Sequence, residues 1–521
     1  MEIKVDNKTY FMSVDCGTQS VRILVFDSTG NLEMKVKYMI TEYKSIEPGW
    51  KEIHPDILWH KICEGIQKLK SENEDLIDHI KGITLSCQRD SIVVVDKEGK
   101  PLRDCIIWAD TRKTEQVRPM ALWARIALFL VKFKRIAETF NKEFRANWLR
   151  ENEPEIWEKT SKYLLLSTYL NSKLVGKFLD STASTIGHLP FDYKRFKWTG
   201  KNDIKRQILQ IEDKYLYDLI EPCKIMGYLS QEASIETGLR EGLPVASAGS
   251  DKGCETIGVG CNNLDKGSIS LGSQATIQTT SHRYFELVPL FPPFPSVKYG
   301  WYNPEITISR GYWMIKWFEE EFAHEELAEA NGDSDLAIGI LEKKLETIPA
   351  GCEGLILQPY WGQELLRPEA RGSIIGFSDV HGKVHFYRAI IEGIGFALRE
   401  GIEKLEKKSG VRMEKIALSG GGSQSDVICQ ITANLINREV FKVQTYETTG
   451  LGAAIAGFIA VGEYRDVDEG VQNMVHVRKV FKPEKEAVKT YDIIYHRVYS
   501  RIYRRVKVLF EEMAKIDQDM I

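Results

Sequence analysis

The sequence is short of the features that announce several large classes of protein. No CxxC pair occurs among its nine cysteines, which are scattered singly from Cys16 to Cys429. Neither a zinc ribbon nor a disulfide framework is expected, and reduced thiols point to a cytoplasmic protein. Basic charge is not in excess: 70 Lys and Arg against 74 Asp and Glu give a net charge of -4, so the electrostatic footprint of a nucleic-acid-binding chain is missing. The longest apolar run, "ALWARIALFLVKF" at 121–133, is interrupted by Arg125 and is too short to span a bilayer. The opening "MEIKVDNKTY" lacks the basic and apolar regions of a signal peptide. No GxxxxGK[ST] is present, which removes the P-loop as a phosphate grip, and no GxGxxG follows a strand-like run, which weighs against a dinucleotide-dependent dehydrogenase. His324-Glu325 begins like a zinc-protease helix, but Ala328 stands where the second histidine is required.

What remains is a chain of 521 residues with ordinary hydrophobic content, 43%, longer than one core usually supports, so two domains are expected. Between 240 and 270 the texture turns glycine-rich and loses its long charged side chains, and the boundary is placed there, giving domains 1–254 and 255–521. Near the C-terminus Ile494, Val498, Ile502 and Val506 repeat at i, i+4, the mark of an amphipathic helix with Arg497, Arg501, Arg504 and Arg505 on its solvated face.

The stretch "YFMSVDCGTQSVRILVFDSTGNL" at 10–32 reads as strand, tight turn, strand. Its turn carries Asp15, Gly17, Thr18, Gln19, Ser20 and Arg22, an odd polar set between two core strands. Gly272-Ser273-Gln274 echoes Gly17-Thr18-Gln19, again between alternating strands and in the other half of the chain. Such turns expose successive backbone N–H groups beside hydroxyl donors, which makes an anion cradle. Two cradles, one per half, suit the charges of a triphosphate. A third cluster, Gly420-Gly421-Gly422-Ser423, follows the strand-like "KIAL" and opens a helix, where a helix N-terminus and missing side chains admit a nucleoside.

The motifs "DCGTQSVR", "GSDKGCETIGVG", "SLGSQAT" and "SGGGSQSDVICQITANLINREV…ETTGLGAAIAG", with "EPGWKEIHPDILW", "CIIWADTR" and "HFYRAIIEGIGFALREGIEKL", resemble the FGGY family of carbohydrate kinases, in the family's order and over nearly the whole chain. The resemblance implies an α/β protein of two actin-like, ribonuclease-H-like ATPase domains flanking a cleft. ATP and Mg²⁺ would bind on one side and a small sugar or polyol on the other, with no nucleic acid and no membrane involved, as a monomer or a homodimer. Carried over by position, Asp15 would hold Mg²⁺ through water, with Asp251 beside it. Thr18, Gln19, Ser20 and Arg22 would contact the phosphates of ATP, and Gly272 and Ser273 would grip them from the second domain. Gly420, Gly421, Gln424, Ser425 and Asp426 would flank the adenosine, with Gly311 also on the nucleotide side. Asp251 matches the family's general base for the sugar hydroxyl.

The sugar side is mixed. Arg89 and Asp90, with Gln88, look like the glycerol-kinase pattern, a donor fork beside an acceptor. Trp108 and Asp110 in "WADTR" sit closer to the ketose kinases, and Lys252 stands where glycerol kinases have Gln. Taken alone, Asp251 also reads as a helix N-cap and Arg89–Asp90 as a surface ion pair. The reading favoured is an ATP-dependent kinase of a ketose, a pentulose ahead of glycerol. The alternatives are a glycerol kinase of the same family, or an actin-like or heat-shock-type ATPase acting on a protein partner.

Overall fold

A computed structural model describes residues 8–288, 291–361, 367 and 369–519; residues 1–7, whose sequence lacks signal-peptide regions, lie outside them. Two six-stranded mixed sheets organise the chain. In the first, β1 (Tyr10–Cys16), β2 (Ser20–Asp27), β3 (Leu32–Met39), β4 (Ile83–Cys87), β5 (Ile225–Tyr228) and β6 (Pro244–Ala246) run in the order β5-β6-β4-β1-β2-β3. In the second, β7 (Lys266–Leu271), β8 (Ala275–Gln278), β9 (Glu305–Ile308), β10 (Lys415–Ser419), β11 (Val440–Val443) and β12 (Val477–Phe481) run in the order β9-β8-β7-β10-β11-β12. Each sheet has three antiparallel strands, then two joined in parallel to the first of these, then an antiparallel edge. The chain therefore builds one ribonuclease-H-like plan twice, as the motifs imply.

The strands' alternation decides what lies above and below. Met12, Val14 and Cys16 of β1 point to one face with Val21, Ile23 and Val25, while Phe11, Leu24 and Phe26 point to the other. The first face is covered by α1 (Pro55–Glu72), which starts at a proline, is capped by the His54 ring accepting from the Asp56 N–H, and buries Leu58, Ile62, Ile66 and Leu69 at spacings of four, four and three. An excursion from this half carries α2 (Leu122–Leu130) and α3 (Lys134–Glu143). The crossing point between the halves is α4 (Asp251–Gly258); the second sheet is backed by α5 (Lys383–Ser409) and α6 (Asp426–Ile436), and α7 (Thr448–Ala460) returns to cover the other face of the first sheet, joining Phe11, Leu24 and Phe26 in one apolar cluster.

The boundary expected after residue 254 falls inside α4. Glycine enrichment there serves close packing: a Cβ on Gly258 would lie 1.8 Å from the Thr448 carbonyl oxygen, and one on Gly452 would lie 1.9 Å from that of Cys254. α4 and α7 thus touch backbone to backbone. The C-terminal helical stretch also differs from expectation. A π-helical turn at Tyr495–Tyr499 shifts its register, so Tyr491, Tyr495, Tyr499 and Ile502 are buried and Val498 is exposed. All nine cysteines are free thiols. Among the described residues no helix is long and apolar enough to cross a membrane.

Candidate active site

The two hairpin turns face each other across the space between the sheets. In the turn from β1 to β2 the Gly17 N–H donates to the Ser20 carbonyl at 3.1 Å. Thr18 is held on three sides: its hydroxyl donates to Gln88 Oε1 (3.1 Å) and accepts from Trp108 Nε1 (2.8 Å), and its carbonyl accepts from the Tyr43 hydroxyl (2.6 Å). In the turn from β7 to β8 the Gly272 and Ser273 carbonyls accept from the Tyr312 and Trp313 N–H groups at 3.0 and 3.2 Å. Gln19 Nε2 donates to Ser273 Oγ at 3.4 Å, so one turn touches the other. Neither Gly17 nor Gly272 has a positive φ, and a Cβ on either would meet nothing closer than 3.4 Å. What these glycines keep clear is the room above the turn, where backbone N–H groups can meet an anion.

Beneath the first turn lies a group of acids. Asp15 and Arg22 are paired in register across β1 and β2, with Arg22 Nη1 3.2 Å from Asp15 Oδ2 and 3.3 Å from Glu447 Oε2. Glu447 precedes α7 and also pairs with Lys35. Burial pushes the Asp15 carboxyl up to about 7; Arg22 opposes this, while Asp251, Glu447 and Glu255 add to it. Asp15, Asp251, Glu255 and Glu447 are matched by Arg22, Lys35, Lys252 and Arg89, and among the described residues no group of three or more acids, histidines or cysteines is placed to hold a metal ion by itself. Asp251 opens α4, just after the N-cap Ser250, and accepts from the Lys252 N–H at 2.7 Å. Burial raises its carboxyl above the usual range, against the pull of Arg89 and Lys252.

Next to Asp251 the Arg89 Nε donates to Ser250 Oγ at 3.2 Å, its Nη1 reaches both oxygens of Glu305 (3.2 and 3.1 Å), and its guanidinium lies 4.5 Å from the Phe294 ring centroid. Asp90 takes a left-handed φ of 54° and accepts from His188 twice, from its N–H at 2.7 Å and its Nδ1 at 2.6 Å. Burial alone would lower the His188 ring, but Asp90 and Glu143 raise it to about 9, so it is protonated at neutral pH. Gln88 Nε2 and Arg89 Nη2 are buried donors with no partner in the protein. Buried donors of this kind are costly unless a ligand meets them.

The two turns, the loops around Arg89 and the start of α4 open into one cavity of about 1720 Å³, which neither Asp15 nor Arg22 borders. Thr18, Gln19, Gly272 and Ser273 line it from the turns, Gln88, Arg89, Asp90 and Trp108 from the loops of the first half, and Asp251 and Lys252 from the start of α4. Residues 10–258 match the N-terminal domain of the FGGY family of carbohydrate kinases, and residues 270–461 match its C-terminal domain. The chain belongs to that family. It is a sugar kinase, a phosphotransferase of the FGGY type, and kinases of this family use ATP. A xylulose kinase of Bacillus subtilis (strain 168) is 28% identical over 509 residues, 96% of this chain and 98% of its own. A glycerol kinase of Thermococcus gammatolerans is 26% identical over 488 residues, 91% and 93% of the two chains. Among solved structures, gluconate kinase from Lactobacillus acidophilus shares the fold with a TM-score of 0.81 at 22% identity, over 97% of this chain and 100% of that one.

Not every residue singled out from the sequence of this FGGY kinase reaches the cavity. Asp110 is buried away from it: its carboxylate accepts from Arg112 Nε and Nη2 at 2.8 and 2.7 Å and from the Lys51 N–H at 2.6 Å, a closed structural pair. Ser20 is buried at the start of β2 and serves the turn through its carbonyl. Gly311 packs on the second hairpin, where a Cβ would sit 2.2 Å from the Ala275 nitrogen. Gly420 (φ +80°) is pressed against the end of β7, whereas Gly421 faces open space. A 3-10 turn, Gly421–Gln424, follows; Ser425 caps α6 by accepting from the Ile428 N–H, and Asp426 pairs with Lys442 and Lys479. Lys252 reaches Glu255 and Ser270, each at 2.7 Å. Sequence reasoning missed His188, Glu255, Glu305 and Glu447. Glu255 and Glu447 had a signal, as they lie in the motifs "GSDKGCETIGVG" and "ETTGLGAAIAG".

Proposed function

We propose that this kinase transfers the γ-phosphate of ATP to a primary hydroxyl of a small ketose or polyol, a pentulose ahead of glycerol, with Asp251 as general base. The reading is supported by one juxtaposition: Asp251 lines the same cavity as both hairpin turns, which are in contact through Gln19 and Ser273. The acceptor hydroxyl passes its proton to Asp251 as its oxygen bonds to the γ-phosphorus and the bond to ADP breaks. A carboxyl raised by burial is a stronger base than a solvated one. Thr18 and the turn N–H groups orient the phosphates, Ser273 holds them from the second half, and Arg22 balances charge on the group in flight. Asp15, with Asp251, would hold Mg²⁺, which supplies charge neutralisation of the phosphates when bound. Gly421, with nothing near it, leaves room for the adenosine.

Glycerol stands second. Both Asp90 oxygens already accept from His188, so the Arg89–Asp90 pair offers glycerol less than its sequence promises. ADP release measured over a panel of ketoses, polyols and sugar acids tests the proposal, with Asp251→Asn alongside. Sugar-dependent turnover at the wild-type rate in that variant would remove Asp251 from its role.

A further inference from the structure

The cavity of about 1720 Å³ is to hold ATP beside the acceptor, and it does not end at the polar groups that surround Asp251. Past Arg89, Asp90 and His188 one side of its lining turns aromatic and aliphatic, while Asp192, Asp203 and Lys205 border the cavity as well. Phe140 meets the His188 ring edge-on at 5.5 Å and marks the change. Phe291 then meets Phe140 at 5.8 Å and Phe133 at 6.0 Å. Phe133 and Phe140 belong to the first half of the chain, and Phe291 to the segment between β8 and β9 of the second. This aromatic roof therefore already joins the halves and is in place without further closure.

The apolar lining continues outward along α2. Leu128 is buried and Val131 is exposed, and both border the cavity. On the outer side Leu122, Trp123, Ile126, Phe129 and Leu130 are 46–73% exposed. A free pentulose, with a hydroxyl on nearly every carbon, would lose water against such walls without gaining a partner. Contiguous exposed apolar surface running into a catalytic cleft is what an apolar ligand group requires. The polar end, by contrast, offers the unpartnered Gln88 Nε2 and Arg89 Nη2 to an oxygen.

We infer that the acceptor is an amphiphile: a polyol or ketose head, held by Gln88 and Arg89 with one hydroxyl at Asp251, that carries an alkyl or aryl substituent lying against Phe140, Phe291, Leu128 and Val131. This rests on the kinase reading above and narrows its acceptor class. The chemistry is unchanged: the P–O bond to ADP breaks, a P–O bond to the head hydroxyl forms, and the tail takes no part in bond making.

Matched acceptors test it, each head measured bare and as its mono-octyl ether: glycerol against 1-O-octylglycerol, and xylitol and xylulose treated likewise, by ATP-dependent ADP release. A buried methylene contributes roughly threefold or more to binding. With only part of the tail covered, the octyl member of at least one pair should gain about 100-fold in kcat/KM. Val131→Asp, at an exposed position bordering the path, should erase most of that gain and leave the bare head unchanged. Phe140→Ala should also lower the ratio of octyl to bare turnover, and its unfolding midpoint reports whether the fold is intact. If bare heads turn over and every octyl ether is equal or worse, the amphiphile is excluded while the kinase reading stands. A gain that survives both substitutions also overturns this assignment. If no acceptor, bare or tailed, releases ADP from ATP, both readings fall.

Discussion

Between β1 and β2 the hairpin turn is framed by Asp15 and Arg22, paired across the strands, whereas the matching turn between β7 and β8 is framed by Ser270 and Thr276, both neutral. The turns also differ in length. Cys16 pairs with Val21 in the first and Leu271 with Ala275 in the second, so the likeness in sequence stops at the end of the turn. A duplicated plan has thus diverged: the first hairpin carries a charged pair and the second a neutral one. Direct contact between the turns is a single neutral hydrogen bond, Gln19 to Ser273, which can break and reform without stranding a charge.

The deepest break of this comparison is at the carboxylate lying between the turns. Asp251→Asn should lower kcat by about 10²–10⁴ in sugar-dependent ADP release. Next comes the charged turn: Arg22→Met should cost about 10²–10³ in kcat. Ser273→Ala, in the neutral turn, should cost less than about tenfold, since it removes one uncharged hydrogen bond. Equal losses for Arg22→Met and Ser273→Ala would erase the contrast. The smallest effect is one of stability and sharpens the charged side alone. The His188 ring is raised to about 9 against an ordinary value near 6.5. Its pairing with Asp90 therefore stabilises the fold fully below the ordinary value, and that contribution is lost as pH rises through about 9. His188→Gln should cost about 1–3 kcal/mol at pH 6 and little at pH 10, read from urea unfolding at the two values.

Strands, both hairpins and the start of α4 were legible because each is local: alternation, a glycine and its hydroxyl neighbours lie within a few residues. The glycine-rich run at 240–270 was legible as unusual, and the two family domains meet within it, at 258 and 270; what composition did not tell is that its glycines also let two helices pack without side chains between them. Asp110 was misread. Its partner Arg112 is two residues away in "WADTR", and the sequence does not tell an acid aimed at a ligand from one closed on a buried guanidinium. His188 and Glu305 were invisible, since each becomes meaningful only through a partner brought near by the fold: Asp90 and Arg89, at separations of 98 and 216 residues.

α7 is made by the last third of the chain yet roofs the sheet made by the first, and its glycines leave no room for a methyl group against α4. Scissors placed between the two family domains would therefore leave the leading fragment with Phe11, Leu24 and Phe26 bare to water. The halves are interlocked rather than tethered, and neither is a module that evolution or an engineer can exchange alone. This bare-backbone contact begins at Cys254, within one helical turn of the proposed base.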